Sequence, residues 1–411
     1  MSLDAVADVE GGTPGYDLPT LLRRFTFNGT PTVETEEGGL RYFVNEFWTA
    51  GQRQAHAIHE ISYRACFKPQ LPGFFITHLT QLGDTVYDPF AGRGTTPVQA
   101  VLMGRRPVAN DVNPLSAMLV RPRLQPPDPT EIAERLRVID LTGDPVASDD
   151  PLLAFYHPHT LRALVALRTY LHAREAIGTL DPVDDWIRMV AINRLTGHST
   201  GFFSVYTLPP NQATSVERQR RINLQRGQVP PPRDIAALIL RKSRSLLSDG
   251  MPPPSVAAPM LLTGAADRTP SIGDGTVDLL VTSPPFLDIV DYEGDNWLRC
   301  WFAGIDPASV PIAIHRSVAA WEGFVRACFA EFARILRPGA VAAFEVGEVR
   351  GGKVLLERHV AAAISGLPFR IEGVMVNRQV FTKTANIWRI DNNRRGTNSN
   401  RIVLARRLPG G

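Results

Sequence analysis

The stretch "TVYDPFAGRGTTPVQAVLMGRRPVANDVNP", Thr85 to Pro114, limits the fold more than any other part of the chain. An apolar run meets a glycine-rich turn, a helical segment follows, and a second apolar run closes at Asp111. That order of periodicities is a strand, a crossover helix and a second strand, a βαβ unit. Parallel strands need helices on both faces of their sheet, so the unit predicts an open α/β architecture. In such sheets the ligand crevice lies beyond the carboxyl ends of the strands, where "DPFAGRGTT" sits. Gly92 and Gly94 let the backbone come close to a ligand, and the following helix offers unpaired N–H groups. Pro97 takes the third glycine position of a G-x-G-x-x-G loop, and the Gly-Lys-Ser/Thr of a P-loop is missing. Asp111 at the end of the second strand is suited to two ribose hydroxyls, so a nucleoside cofactor is expected, with a tight structural turn as the alternative.

Around this unit the pattern is less regular. Residues 1–40 read as a flexible leader and Arg41 to Leu82 as mostly helical, ending at the turn "LGD". From about Gln125 helical periodicity takes over, bounded by "QPPDP" and "MPPPS", so residues 126–255 are expected to be a largely helical insertion. Strand signals return at Met260 and "TVDLLVTSPPF", then a helix with Gly339 as its C-cap, the strand "AVAAFEVGEV" and an antiparallel pair at a sheet edge. The expected fold is an open, mostly parallel sheet with an antiparallel edge strand, interrupted once between its second and third strands. Residues 41–125 and 256–411 form its two parts.

No segment of the 411 residues approaches the roughly 18 apolar residues of a membrane span, and the N-terminus has no signal-peptide pattern. A cytoplasmic protein is expected. The three cysteines (Cys66, Cys300, Cys328) are far apart, which argues against a disulfide framework or zinc site, and His157 and His159 have no third ligand near them, so no metal is expected. The net charge is only +3, but it is clustered. Arg218, Arg220, Arg221, Arg226, Arg233, Arg241, Lys242 and Arg244 face only Glu217 and Asp234 between Gln212 and Arg244, and "NRRGTNSNR" carries Arg394 and Arg395. Such clusters suit a polyanion or a solvated face. Phe202, Phe203 and Tyr206 lie just before the first cluster, where either a nucleic-acid contact or a core hairpin fits.

The second informative stretch is "VDLLVTSPPFLDIVDY", a buried-type strand that stops at Ser283-Pro284-Pro285-Phe286. Two prolines remove two donors and fix two φ angles, more than a strand end requires. "DPFAGRGTT" together with "TSPPF" resembles the amino-methyltransferases of DNA, over roughly residues 60–125 and 256–411, and "FKPQLP" is similar to that family's Lys-Pro motif. The resemblance implies a class I methyltransferase Rossmann-like sheet, S-adenosylmethionine as cofactor, and methyl transfer to an exocyclic base nitrogen of double-stranded DNA with the base flipped out. Acceptors holding both amine hydrogens aim the nitrogen lone pair at the methyl group. Ser283 would supply one acceptor and the Pro284 carbonyl the second, with Pro285 adding rigidity and Phe286 stacking on the base. For the cofactor, the resemblance implies Asp88 near the methionine amino group, Phe90, Gly92 and Gly94 in the loop, Thr95 and Thr96 at the carboxylate, Asp111 at the ribose, Asp267 at the adenine amine, and Lys68-Pro69 over the methionine end. Arg218, Arg220, Arg221, Arg394 and Arg395 are the expected nucleic-acid contacts, and residues 126–255 the expected target-recognition region. None of the cysteines follows proline, so attack at cytosine C5 is not indicated. Ser at the first motif position leans toward cytosine N4, with adenine N6, an RNA base amine and a non-catalytic nucleic-acid-binding relative as alternatives. Restriction–modification, with a cognate restriction endonuclease as partner, and stand-alone modification both remain open. The Gly-rich motif precedes Ser-Pro-Pro-Phe here, the reverse of the order in many N4-cytosine enzymes with this Lys-Pro motif.

Overall fold

The computed structural model describes residues 17–49, 55–64, 66–208, 213–285, 292–312, 315, 317–349, 354–378 and 399–410. Nine strands form one sheet: β1 (Val33–Glu37), β2 (Leu40–Asn45), β3 (Thr85–Asp88), β4 (Arg106–Asp111), β5 (Met260–Thr263), β6 (Val277–Thr282), β7 (Leu336–Val346), β8 (Phe369–Arg378) and β9 (Ser399–Arg407). Their spatial order is β1-β2-β8-β9-β7-β6-β3-β4-β5. The run from β7 through β6, β3 and β4 to β5 is parallel. β9 lies antiparallel to both β7 and β8, and β1 antiparallel to β2. From β3 the chain winds outward through β4 to β5, then returns to place β6 on the other side of β3. The strand order therefore reverses between β3 and β6, where a doubly wound sheet opens its crevice.

Helices α1 (Leu18–Arg24) and α2 (Gln70–Leu79) cover one face, where Leu22, Phe43, Phe75, Val86, Leu279 and Val281 share a core. Helices α11 (Val318–Ile335) and α12 (Leu356–Ala363) cover the other, with Tyr87, Leu280, Trp321, Phe329, Phe332 and Phe344 buried between them and the sheet. Around the crevice run α3 (Thr95–Leu102), α4 (Pro114–Leu124) and α10 (Tyr292–Ala303). The side chain of Asn113 accepts the Leu115 N–H and Pro114 fills the first turn of α4, so that helix starts immediately after β4.

Between β4 and β5 lie α5 (Pro129–Val138), α6 (Pro158–Ala176), α7 (Pro182–Arg194), α8 (Val216–Arg226) and α9 (Ile235–Leu246). Capping boxes at Asp128 and Asp181 start α5 and α7, and His157 caps α6. The core of this region is continuous with the sheet's own helices: Leu164, Trp186, Ile187 and Phe203 pack in one cluster with Leu115 and Leu119 of α4 and Leu298 and Phe302 of α10. Asp184, fully buried, is held by Arg174 at 2.6 Å and by Arg135.

Four expectations are corrected. Within the expected leader, residues from 18 onward form α1 and β1, because Leu18 and Leu22 are buried against the sheet. Residues 41–45, expected to be helical, lie in β2, which pairs in parallel with β8 from Tyr42 through Asn45; among the described residues from Arg41 to Leu82, α2 is the one α-helix. The antiparallel pair β8–β9 is interior, since β2 and β1 extend the sheet beyond it. Gly339 is not a C-cap: α11 ends at Ile335 and Gly339 lies inside β7, with φ at +85°.

Candidate active site

β3 delivers Asp88 to the edge of the crevice, and the chain turns through Pro89–Gly94 into α3. The turn is fixed by its backbone: the Ala91 N–H donates to the Asn110 carbonyl at 3.0 Å and that of Gly94 to Ala91 at 2.6 Å. Gly92 donates its N–H to Asp111 Oδ2 at 2.8 Å, and Asn113 donates to Oδ1 at 2.9 Å. One carboxylate thus ties the glycine loop to the end of β4. Gly92 and Gly94 both have positive φ, +51° and +82°, but for different ends. A Cβ at Gly94 would lie 2.4 Å from Val120 Cγ2, whereas at Gly92 the nearest atom is Tyr63 Cε1 at 3.8 Å. Gly94 serves packing; Gly92 leaves its surroundings open.

Asp88 is buried, and its Oδ1 accepts the Thr282 hydroxyl at 2.5 Å and the Phe90 N–H at 3.1 Å. Burial pushes its pKa up to about 7 despite these donors. Burial likewise raises Asp111 to about 6, opposed by the two N–H groups. Thr96 is fully buried and donates to the Val281 carbonyl at 3.2 Å. Thr95 accepts from Arg93 Nε at 3.2 Å and reaches the Phe67 carbonyl at 3.5 Å. Both threonines therefore brace the loop. Lys68 is half-buried just before α2, its pKa lowered by burial and then by Arg93, and Pro69 caps that helix. Phe90 packs against Phe324 of α11, ring centroids 5.7 Å apart. Asp267 is exposed, in the turn after β5; the earlier part of that turn is tied to β4 by Gly264 N–H to the Asp111 carbonyl at 3.0 Å.

β6 pairs with β3 and ends in Thr282, so the hydroxyl on Asp88 joins the two strand ends directly across 194 residues of sequence. Ser283 follows, hydrogen-bonded to the buried carboxyl of Glu345 at the end of β7. The Glu345 pKa is raised by burial, opposed by Asn400 and Ser283, and Asn400 of β9 donates its amide to Oε1. The Pro285 carbonyl accepts the indole N–H of Trp321 at 3.0 Å, and Pro284 is buried. Phe286, and the stretch to Asp291, lie outside the described residues.

Glu345, Trp321 and Tyr63 are further residues of this site that the motifs do not announce, and Arg93 stands inside the glycine motif at a position to which the motif attaches no role. An acid inside the apolar run "AVAAFEV" was the one available signal for Glu345. The Tyr63 hydroxyl accepts from Asn113 Nδ2 at 3.2 Å beside Gly92. Buried Arg93 holds the segment that carries Tyr63, donating to the Ile61 carbonyl at 2.8 Å and to Phe67 at 3.3 Å.

Arg218, Arg220 and Arg221 are exposed on α8, a helix with a single buried residue, Gln219. Its start lies against α10, the helix that follows the Ser-Pro-Pro-Phe loop: Ala213 N–H donates to the Asp295 carbonyl at 2.9 Å and Trp297 Nε1 to Thr214 at 3.3 Å. Arg394 and Arg395 lie outside the described residues. Phe202 and Phe203 are buried, and Tyr206 is exposed beneath the Arg226 guanidinium, 3.9 Å from the ring centroid.

Residues 34–117, from β1 into α4, match the family model of the N6/N4 type described as DNA methylase. This segment is therefore similar to the DNA amino-methyltransferases. The Type II methyltransferase M.BsoBI of Geobacillus stearothermophilus is 22% identical over 350 residues, covering 75% of this chain and 66% of that protein. M.MjaII of Methanocaldococcus jannaschii, also a Type II methyltransferase, is 36% identical over 73 residues, 18% of this chain and 13% of its own. The chain thus spans less than two thirds of the length of either relative. Among solved structures, geranyl diphosphate C-methyltransferase from Streptomyces coelicolor aligns over 83% of this chain and 76% of its own at 11% identity, with a TM-score of 0.32. No helix among the described residues of this methylase-like chain is long and apolar enough to cross a membrane.

Proposed function

We propose that the chain is an S-adenosylmethionine-dependent DNA methyltransferase that modifies cytosine N4 of a flipped base. The observation that carries this reading is the Thr282–Asp88 hydrogen bond, which sets the glycine loop and the Ser-Pro-Pro turn side by side at the point where the strand order reverses. A cofactor fits the residues present. Gly92 is open where a Cβ would intrude, Asp111 keeps lone pairs beyond its two N–H donors for ribose hydroxyls, and Lys68-Pro69 and Asp88 border the methionine end. When bound, it supplies the electrophilic methyl group.

The protein's part is positioning. A Ser283 hydroxyl that donates to Glu345 keeps its oxygen lone pairs for an amine hydrogen of the base. With the Pro285 carbonyl engaged by Trp321, the turn is pinned on both sides, and the Pro284 carbonyl is the second acceptor in this reading. Exposed arginines on α8 and the double-stranded DNA backbone are complementary in charge. Ser283 in place of an acid is what favours cytosine N4. A cognate restriction endonuclease is the partner to seek.

The test uses the full chain, S-adenosylmethionine and mixed-sequence duplex DNA, with nucleosides resolved by mass spectrometry and Ser283→Ala as control. N4-methylcytosine that disappears in the control is the expected result. N6-methyladenine would overturn the base assignment, and turnover on RNA alone would overturn the substrate.

A further inference from the structure

Three cations converge away from the glycine loop. Arg194 ends α7, and Arg241 and Lys242 lie on α9. The Arg194 and Arg241 guanidiniums reach to 3.9 and 3.7 Å of the position a Cβ would take at Gly201, so both border the same small space beside the loop Gly197–Gly201. Their hydrogen bonds go to neutral groups: Arg194 to Asn193 Oδ1 at 2.7 Å and the Asn193 carbonyl at 3.2 Å, Arg241 to the Thr200 carbonyl at 3.3 Å. The Arg194 guanidinium also stacks over the Phe202 ring, 4.0 Å from its centroid, which fixes its plane. Among the described residues the carboxylate at this cluster is Glu60, 3.5 Å from Lys242 Nζ. Lys242 is lowered to about 8 and Arg194 to about 10, in each case by burial and then by the neighbouring arginine, which is the mark of cations short of counter-charge.

The cluster also lies beside the site. Asn193 Nδ2 and Arg299 Nη2 both donate to the Ser62 carbonyl, at 3.5 and 3.3 Å, and Ser62 precedes Tyr63, the neighbour of Gly92. A guanidinium fixed by stacking, a second at the surface, an ammonium and the Ser199 hydroxyl beside a glycine match a tetrahedral oxyanion. We propose that Arg194, Arg241, Lys242 and the Gly197–Gly201 loop form a phosphate-binding site that grips one backbone phosphate beside the base-accepting mouth. The choice of a nucleic-acid phosphate rests on the function proposed above; the anion site itself does not.

Duplex binding by the full chain is followed by fluorescence anisotropy across a chloride series. Arg241→Gln is expected to weaken binding to unrelated sequences alike and to flatten the log–log salt slope by about one, the share of a single phosphate. Glu60→Gln is expected to tighten binding, since it removes the competing carboxylate; a merely structural role for that residue would not. Unchanged affinity and slope in both variants, with unchanged melting temperatures, overturns the site. If the wild type binds no DNA, the functional reading fails, and inorganic phosphate decides the pocket. A rise in melting temperature beyond that from chloride of equal ionic strength, absent in Arg241→Gln, sustains it for free phosphate, and no such difference overturns it.

Discussion

Asp88 and Asp111 are carboxyl groups held above their ordinary 3.8, at about 7 and about 6, by burial at the mouth of the crevice. A carboxyl raised on folding favours the native state while protonated. Its contribution is complete below about pH 3.8 and is lost as pH rises through 6 and 7. Wild type is therefore expected to lose stability between pH 5 and pH 8 relative to Asp88→Asn, measured as the shift of the denaturant midpoint. Parallel curves would mean that Asp88 is solvated. The two glycines of the loop separate packing from access. Gly94→Ala is expected to destabilise by about 1–3 kcal/mol, because the new methyl meets Val120 on top of a strained φ. Gly92→Ala is expected to melt closer to wild type and yet to bind S-adenosylmethionine more weakly. Equal losses of stability in the two variants, read from thermal melts beside a cofactor titration, would sink that distinction.

Among the elements, α11 does two things at once, covering the sheet and fixing the Ser-Pro-Pro turn. Trp321→Phe keeps an aromatic ring in the core, though a smaller one, and removes the donor to Pro285. Its expected cost is about 1–3 kcal/mol for a carbonyl left unsatisfied, with a lower kcat and an unchanged KM for the cofactor. A raised KM with unchanged kcat would remove Trp321 from the positioning of the turn. The same element shows what was legible beforehand. Loops punctuated by glycine and proline announce themselves, because those residues are chosen for local backbone geometry; "DPFAGRGTT" and "TSPP" are legible in this way, and the Thr282–Asp88 bond sets them together. Trp321 and Glu345 are not legible in the sequence, since each matters through a partner 36 or more residues away that no local pattern encodes. β2 departs from the helical expectation for a related reason: its aromatic and β-branched run is a strand because β1 and β8 lie on either side of it. The residue type of Gly339 suggests a helix end, whereas its positive φ falls inside β7, where the pairing with β6 shifts register.

On the scale of the whole molecule, the helical region between β4 and β5 is no appendage. Trp186 and Leu164 share a core with α4 and α10, which frame the crevice. Excising residues 126–255 is expected to give a chain that aggregates, since Leu115, Leu119, Leu298 and Phe302 would lose their cover. The intact chain is expected to melt in one calorimetric transition; a soluble, cofactor-binding deletion variant would show two independent units instead. The sheet has a consequence for synthesis as well. Asn377 of β8 accepts the N–H of Phe47, just past β2, at 2.8 Å across 330 residues. A ribosome adding roughly 5–20 residues per second would leave β2 without its parallel neighbour for roughly 15–65 s. Throughout that interval Phe43 and Phe47, buried in the finished sheet, have early neighbours such as Leu22, Phe25 and Phe74 to pack on but lack the cover of β8. A strand translated early is thus completed among the last, and the nascent chain carries one open sheet edge for most of its own making.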